Sequence, residues 1–290
     1  MLPTVENFVE ARTRVANKIA ERFADEPAVT GVLCAGSTGR GHADRWSDLE
    51  IGVIWSRPPT EPERRQVAHD LAMADVRLSN YDESERSWFD EWWFDAPAGD
   101  GLLVEVCHLT AEGAHTQLDR LLLHDDPDPY ALTFAAALVY GRPLAGSIES
   151  LVERVHAYPR SLAVAVVRRH GQVDQFWRWQ MFVERHNPHG LRRHFAGVVD
   201  ALIHMTCALN GRWWPGPKWP GWTLAGLSIA APNLSERLVA LDQQDPPVAA
   251  AALGELVEET YDLVAVHLPE ADQDRLRRIF HFARAPWPRQ

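Results

Sequence analysis

Two carboxylates stand two residues apart, at Asp48 and Glu50, where an apolar run over residues 49–55 begins. Side chains of a strand alternate between its two faces. If 49–55 is a strand, both carboxylates therefore share one face near its beginning. Two anions held this close repel each other unless a cation lies between them. Carboxylate oxygens are ligands that Mg²⁺ prefers, so the pattern predicts a magnesium-binding pair.

A glycine-rich turn, with Gly36, Gly39 and Gly41 around Ser37, precedes this pair. Glycine lets backbone N–H groups approach an anion closely, and a helix starting after Ser37 would direct its positive end there. A phosphate-binding turn beside a metal-binding pair is typical of phosphoryl or nucleotidyl transfer. The alternative is an ordinary hairpin-like loop, since Gly-Ser and Asp-x-Glu each occur by chance.

The spacing of these features resembles a known signature. Gly36-Ser37 is followed, eleven residues after Ser37, by Asp48 within Ser-Asp-Leu-Glu. This resembles the polymerase-β-type nucleotidyltransferase superfamily, whose pattern is Gly-Ser, a spacer, then acid–apolar–acid on a strand. The small antibiotic nucleotidyltransferases, including the kanamycin-type enzymes, are the most similar group. The resemblance is specific over residues 29–55 and extends to about 146; a degenerate, inactive copy of the fold is its main competitor.

Glu105 is a lone charge inside the apolar segment 101–110, where it is costly without a partner. In the superfamily a third carboxylate comes from such a strand and faces the acid pair, and Glu105 fits that place. The resemblance implies a metal ligand or a general base for the attacking hydroxyl. The alternative is an edge strand with Glu105 facing water. All-Asp triads are common in the wider family, so Glu at 50 and 105 is a departure.

Two basic residues are candidates for contacts with a triphosphate. Arg40 closely follows the glycine turn, although an exposed, solubilising arginine is an equal alternative. Lys218, one of only two lysines in the chain, lies in the loop 210–219 together with Trp213, Trp214 and Trp219. We expect these rings either to stack on a base or a substrate ring or to form a tryptophan-rich packing corner.

Composition and cysteine spacing indicate a soluble globular protein. Apolar residues make up 46% and charged residues 24% of 290 residues, and no apolar run has the length of a membrane span. Residues 1–15 contain no apolar signal core. Cys34, Cys107 and Cys207 are far apart, which disfavours a disulfide framework or a structural zinc site. We expect a reducing, cytoplasmic location.

The net charge of −11 is unevenly distributed. Residues 1–146 hold 25 Asp and Glu against 13 Lys and Arg, which leaves a net charge of −12, while the remainder carries +1. An acidic first half disfavours a nucleic-acid surface, which needs Lys and Arg. It suits a small cationic substrate such as an amino sugar, although acidity that merely aids solubility is an alternative.

Periodicity predicts the elements of the first half. Helices are predicted at 4–23, 62–74, 111–123 and 130–140, and strands at 29–35, 49–55, 76–81 and 101–110. The acidic, aromatic segment 82–100 is either substrate-facing or a short helix whose rings pack on the domain, and the helix is favoured. Residues 140–144 are predicted to form a break.

The second half lacks strand patterns and predicts a helical bundle. Its predicted helices are 148–157, 160–185, 191–210, 234–242, 248–267 and 271–284. The predicted fold is an α/β nucleotidyltransferase domain with a small mixed sheet at 1–146, followed by an all-helical domain at 147–290. His186, His189, His194 and His204 lack a compact metal-ligand spacing, so solvated or structural roles are predicted.

The resemblance implies Mg²⁺-dependent transfer of a nucleoside monophosphate, from ATP or another nucleoside triphosphate, to a hydroxyl of a small acceptor. An aminoglycoside-like antibiotic is the expected acceptor class, with antibiotic resistance as the implied role. The open alternatives are a protein or tRNA acceptor, or a non-catalytic nucleotide-binding regulatory module. Some members of the superfamily form their cleft between two subunits, so the resemblance also allows a homodimer.

Overall fold

A computed structural model describes residues 5–95 and 101–285. The described chain divides into two compact units. The first comprises the residues up to His124 together with Asp128–Ala157, and the second comprises Asp125–Pro127 together with the residues from Tyr158 onward. The predicted helix start at residue 4 and the last five residues of segment 82–100 lie outside the described residues. The boundary near residue 146 stays a prediction.

The first unit contains both α-helices and β-strands. Its elements are α1 (Val5–Ala24), β1 (Val29–Cys34), α2 (Gly36–Gly39), β2 (Leu49–Trp55), α3 (Glu61–Asp70), β3 (Ala74–Leu78), β4 (Ser87–Phe94), β5 (Leu102–Thr110), α4 (Ala111–Leu122), α5 (Pro129–Tyr140), β6 (Arg142–Gly146) and α6 (Glu149–Arg154).

The described strands form one mixed sheet in the order β3-β4-β5-β2-β1-β6. The central strands β2 and β5 are parallel, and the other neighbours are antiparallel. Parallel strands are usually covered on both faces and read as continuous apolar runs, as residues 49–55 do. The predicted mixed α/β fold with a small sheet is confirmed, and so are the strands at 49–55 and 101–110.

One face of the sheet packs tightly against α1. The buried residues of this helix recur at Val15, Ile19 and Phe23, which is the spacing of one helical face. The Phe23 ring stacks on Trp92 of β4, with centroids 6.0 Å apart, and meets the edge of Trp55 at 6.1 Å. These large, fully buried rings make this face the main core of the unit.

A buried polar network joins residues of β2, β4 and β5 with α3. The Trp55 indole N–H donates to Nδ1 of His108 at 3.1 Å, so the imidazole proton lies on Nε2, which faces Asp90 Oδ2 at 3.1 Å. Arg64 of α3 pairs with the other oxygen of Asp90. The Trp55 indole, the His108 imidazole and the Asp90 carboxylate therefore each have a partner, which buried polar groups require.

The prediction of a short helix for segment 82–100 is wrong, because Ser87–Phe94 forms β4. This strand pairs residue for residue with β5, from Ser87 opposite Leu109 to Phe94 opposite Leu102. Aromatic side chains fit a pleated, half-buried surface, so the same rings that suggested a packing helix favour a strand. Trp92 is buried on the α1 side of the sheet, while Phe89 is 42% exposed.

Two further element predictions are corrected. The break predicted at 140–144 becomes the edge strand β6, which pairs antiparallel with β1 after Gly141 ends α5. The helix predicted at 62–74 ends at Asp70, and β3 begins at Ala74, before its predicted start at residue 76.

The second unit is helical in its described part. It contains α7 (Arg160–His170), α8 (Arg178–Glu184), α9 (Pro188–Leu209), α10 (Pro220–Leu224), α11 (Leu234–Ala240), α12 (Pro246–His267) and α13 (Gln273–Phe280). The predicted helix at 160–185 is split into α7 and α8 after Gly171, whose N–H closes the last turn on the Val167 carbonyl. Tyr261 of α12 fixes this break by donating its hydroxyl to the Gly171 carbonyl at 2.7 Å.

No helix of the two described stretches is long and apolar enough to cross a membrane.

Two histidines stack inside the second unit. The rings of His170 and His204 lie 3.8 Å apart and nearly parallel, and Trp214 covers His204 at 4.3 Å. Burial lowers the pKa of His204 to about 3, and the charges of His170 and Arg169 act in the same direction. Burial likewise lowers the pKa of His170 to about 4. Both rings are thus held neutral, as the structural role predicted for His204 requires.

We therefore predict an acid-sensitive fold. An unfolded His204 takes up a proton below about pH 6.5 while the folded residue resists it, so stability falls as the pH drops below that value. In urea titrations followed by tryptophan emission, the free energy of unfolding of His204→Met should fall by about 2 kcal/mol less than that of wild type between pH 7 and pH 4.5. Substitution of the exposed His189 on the same helix should not change this decrease in the free energy of unfolding. An unchanged loss in His204→Met would contradict the prediction.

Candidate active site

The parallel register of the two central strands brings the predicted acids together. Glu50 on β2 lies directly opposite Glu105 on β5, and parallel partners point to the same face. Asp48 comes two residues before Glu50. One carboxylate oxygen from each of the three side chains lies within 4.8 Å of the others, and all three residues are half-buried. Asp48, Glu50 and Glu105 therefore form one carboxylate cluster.

A hydrogen-bonded turn fixes the position of Asp48. The Asp44 carboxylate accepts from the Trp46 N–H at 2.9 Å and from the Ser47 hydroxyl at 3.0 Å. The Ser47 hydroxyl accepts in turn from the Asp44 N–H at 2.9 Å. Asp side chains commonly close turns in this way. The turn ends directly before Asp48 and delivers that residue to the start of β2.

Arg12 of α1 ties this turn to the body of the unit, a role that the sequence analysis missed. Its guanidinium donates twice to the Ser47 carbonyl, at 2.9 and 2.6 Å, and once to the Phe8 carbonyl at 3.2 Å. Burial lowers the pKa of Arg12, against the opposing charges of Asp44 and Asp48. The sequence does contain a signal for this role, because Arg12 interrupts the apolar face of α1 and a charge there needs a partner.

The glycine turn borders the cluster directly. Gly36 has a φ of +59°, and a Cβ there would lie 2.6 Å from both Cδ and Oε1 of Glu50. Any side chain would thus be strained and would displace the Glu50 carboxylate. Gly41 has a φ of +79°, which also requires glycine. Gly36 therefore lets the backbone of the turn lie against the Glu50 carboxylate.

The helix expected after Ser37 is the single turn α2, which begins at Gly36. The N–H groups from Gly39 to His42 donate to carbonyls of residues 35–38 within the turn. Ser37 is only 5% exposed. Contacts with a phosphate would therefore fall to the backbone at the beginning of the turn.

Arg40 lies within the electrostatic reach of the cluster. The side chain is half-buried, and burial lowers its pKa while the charges on Glu50 and Asp48 oppose that change. An exposed, solubilising arginine would not be coupled to the two acids in this way. Its cation offsets part of the repulsion among the three carboxylates.

A small cavity opens beside the cluster on the face of the sheet opposite α1. Its volume is about 140 Å³. Both glutamates of the cluster line it, and its other walls come from the central strands, β4 and α5: Leu33, Ala35, Ile51, Gly52, Phe89, Cys107, Leu109, Tyr130, Thr133, Phe134 and Ala137. The cluster is thus bordered by the glycine turn and by an apolar space.

Lys218 and the tryptophan loop belong to the second unit. Lys218 is exposed. Trp213 is 3% exposed and packs against Tyr158 with centroids 4.5 Å apart, and Trp214 covers His204. These two rings form a packing corner, the alternative that the sequence analysis left open. Asn210 closes the loop by accepting from the Ile229 N–H at 3.0 Å.

The donor set fits a hard divalent cation. Three carboxylates supply oxygen ligands within 4.8 Å, and among the described residues this is the group of acidic, histidine and cysteine side chains that could hold a metal ion. Oxygen-only donor sets suit Mg²⁺, Mn²⁺ or Ca²⁺ rather than softer metals.

Comparisons with known proteins identify distant structural likenesses. No protein-family model and no curated protein sequence matches the chain. A nucleotidyltransferase-like protein from Exiguobacterium sibiricum 255-15 is 13% identical, with a TM-score of 0.41 over 92% of this chain and 80% of that one. A chain of the GLD-2/RNP-8 complex is 12% identical, with a TM-score of 0.33 over 88% and 73%.

Cid1 in complex with its short product ApU is also 12% identical, with a TM-score of 0.31 over 90% of this chain and 68% of that one. At such distances the likeness concerns the arrangement of the chain. The chemistry of the site is argued from its own residues.

We predict that Gly36→Ala weakens cation binding at the cluster, because the new methyl group displaces the Glu50 carboxylate. Calorimetric titration with Mn²⁺ should show an affinity about 10- to 100-fold lower than wild type, the range for loss of a group that orients a ligand. Gly197→Ala on α9 is the control, since a Cβ there meets no atom within 4 Å. Equal Mn²⁺ affinity in Gly36→Ala and wild type would contradict the role of Glu50.

Arg12→Met should loosen the turn that carries Asp48, because the Ser47 carbonyl loses both donors. We expect Mn²⁺ affinity to fall about 10-fold and the free energy of unfolding to fall by about 1–3 kcal/mol. Arg14→Met, at an exposed position of the same helix, should change neither quantity. Reduced stability with full Mn²⁺ affinity would limit Arg12 to a structural role.

Proposed function

We propose that this chain is a divalent-cation-dependent nucleotidyltransferase that moves a nucleoside monophosphate from a nucleoside triphosphate to a hydroxyl of a small acceptor. The observation that carries the proposal is the cluster of Asp48, Glu50 and Glu105, whose carboxylate oxygens lie within 4.8 Å of one another. The glycine turn at Gly36 packs against one member of this cluster. Grouped carboxylates beside a glycine turn suit phosphoryl chemistry.

Asp48 and Glu50 would hold the cation, with Glu105 as a third ligand or as the base. A bound Mg²⁺ would offset the negative charge of the triphosphate. The chain's own contribution is to position the reacting groups, since well-oriented partners supply much of the rate in such transfers. The β2–β5 register, the Asp44 turn and the Arg12 contacts provide that positioning.

The proposed transfer forms one phosphorus–oxygen bond and breaks another. The acceptor oxygen forms a bond to the α-phosphorus, the bond from that phosphorus to the bridging oxygen breaks, and pyrophosphate leaves. The hydroxyl proton passes to Glu105 or to solvent. We propose that Gly36 and Ser37 contact the β- and γ-phosphates through the turn. Arg40, the basic side chain coupled to Glu50 and Asp48, would assist with the phosphates.

We further propose ATP as the donor and a small cationic acceptor, such as an aminoglycoside-like antibiotic, with resistance as the role. The support is the net charge of −12 over residues 1–146, which attracts cations and disfavours polyanions. A cytoplasmic location and a possible homodimer belong to the same proposal.

Asp48→Asn should lower turnover about 10³-fold or more, the scale for losing a major electrostatic group of a transfer site. The experiment incubates the protein with labelled ATP, Mg²⁺ and a panel of aminoglycosides and lincosamides, and follows pyrophosphate release and the mass of the product. Circular dichroism should show an intact fold, and Glu21→Gln at an exposed position of α1 should keep full turnover. Full turnover in Asp48→Asn would end the assignment, and ATP binding without pyrophosphate release would favour a binding module.

A further inference from the structure

We propose that the 140 Å³ cavity beneath α5 is the acceptor subsite and that it takes a compact apolar group, about the size of a benzene ring, attached through a short arm to the reacting hydroxyl. The inference rests on the proposed nucleotidyl transfer but competes with the amino-sugar acceptor, which rests on net charge; the turnover comparison with glucosamine decides between the two acceptors. The acceptor is then an alcohol with an apolar ring or a branched alkyl group, and any cationic part remains outside the cavity.

The cavity exists because small residues face each other across it. Tyr130, Thr133 and Ala137 follow the i, i+3, i+7 spacing of one helical face of α5 and line the space. Gly52 lies on β2, where the Leu33 side chain covers it, and Ala35 follows β1. The short side chains of Thr133 and Ala137 leave the space open on the α5 side. On the opposite face of the sheet, Phe23 packs against Trp55 and Trp92.

The walls offer apolar surface to an occupant. Large apolar side chains surround the space: Leu33, Phe89, Leu109 and Phe134. Phe89 and Tyr130 meet edge to face, with centroids 6.3 Å apart. An apolar cavity of about 150 Å³ accommodates benzene in another protein, so this volume matches one six-membered ring.

Apart from the two glutamates, the polar side chains of the walls are already engaged. The Thr133 hydroxyl is within 2.9 Å of the Tyr130 carbonyl and 3.1 Å of the Pro129 carbonyl, to which it can donate. Tyr130 and Cys107 share a hydrogen bond at 3.4 Å. A sugar ring bears hydroxyls on most of its carbons and would leave them without partners inside the cavity, which is costly. The walls thus select against a sugar and for an apolar ring.

The two glutamates would orient the hydroxyl of the bound acceptor. Glu50 and Glu105 are the charged residues on the lining, and they belong to the carboxylate cluster. An alcohol whose ring fills the apolar part can direct its hydroxyl toward these carboxylates. Glu105 can then accept the hydroxyl proton, which is the step the proposed transfer needs.

Binding alone gives a test that is independent of turnover. The ¹⁹F NMR signal of 4-fluorobenzyl alcohol should broaden on adding the wild-type protein without nucleotide or metal. Ala137→Phe fills the space, and Thr133→Leu fills it less severely; both should weaken binding at least tenfold. Val139→Phe adds the same ring at an exposed position of α5 and should bind as wild type. Absence of binding to wild type, or wild-type binding by both cavity variants, would overturn the proposal.

Turnover then decides whether the cavity serves the reaction. With ATP and Mg²⁺, pyrophosphate release by wild type should be at least tenfold faster with 4-fluorobenzyl alcohol than with glucosamine or glycerol. The ratio should fall to about one in Ala137→Phe. If glucosamine is the better acceptor, the cavity inference fails while nucleotidyl transfer stands. If Asp48→Asn matches wild type, the transfer itself fails, whatever the fragment-binding result.

Discussion

Repulsion among three carboxylates is the constraint around which the first unit is built. Oxygens of Asp48, Glu50 and Glu105 lie within 4.8 Å of each other. Unit charges at that distance repel by about 1 kcal/mol in water and about 3 kcal/mol near a protein surface. The side chains cannot relax far, because the parallel register of β2 and β5 fixes two of them side by side. Arg40 offsets part of the repulsion, and a divalent cation would offset more.

Backbone geometry rather than side-chain packing holds this strained arrangement. Gly36 brings the turn so close to the Glu50 carboxylate that a methyl group would collide with it. Arg12 and Asp44 hold the turn that ends at Asp48. The first contact restricts Glu50, and the hydrogen bonds of the turn restrict the backbone before Asp48. Preorganisation of this kind means that little reorganisation is needed when a cation or a triphosphate arrives.

Local sequence predicted the parts of the site that lie close together in the chain. Asp48, Glu50 and the glycine turn are within 15 residues, and alternation along one strand determines their shared face. The position of Glu105 rested on a resemblance, because strand pairing between residues 50 and 105 is a long-range register that one sequence does not encode locally. Strand β4 was mispredicted since aromatic runs suit either a packing helix or a strand. The role of Arg12 depends on a carbonyl 35 residues away.

The two faces of the sheet differ in a way that packing alone does not explain. The α1 face is filled by Phe23, Trp55 and Trp92, all fully buried. On the α5 face, Thr133 and Ala137 leave an opening beside the carboxylates. Larger apolar residues there would bury more surface, at about 0.8 kcal/mol for each added methylene. The opening lies next to Glu50 and Glu105, so an occupant held there can bring a hydroxyl to these carboxylates.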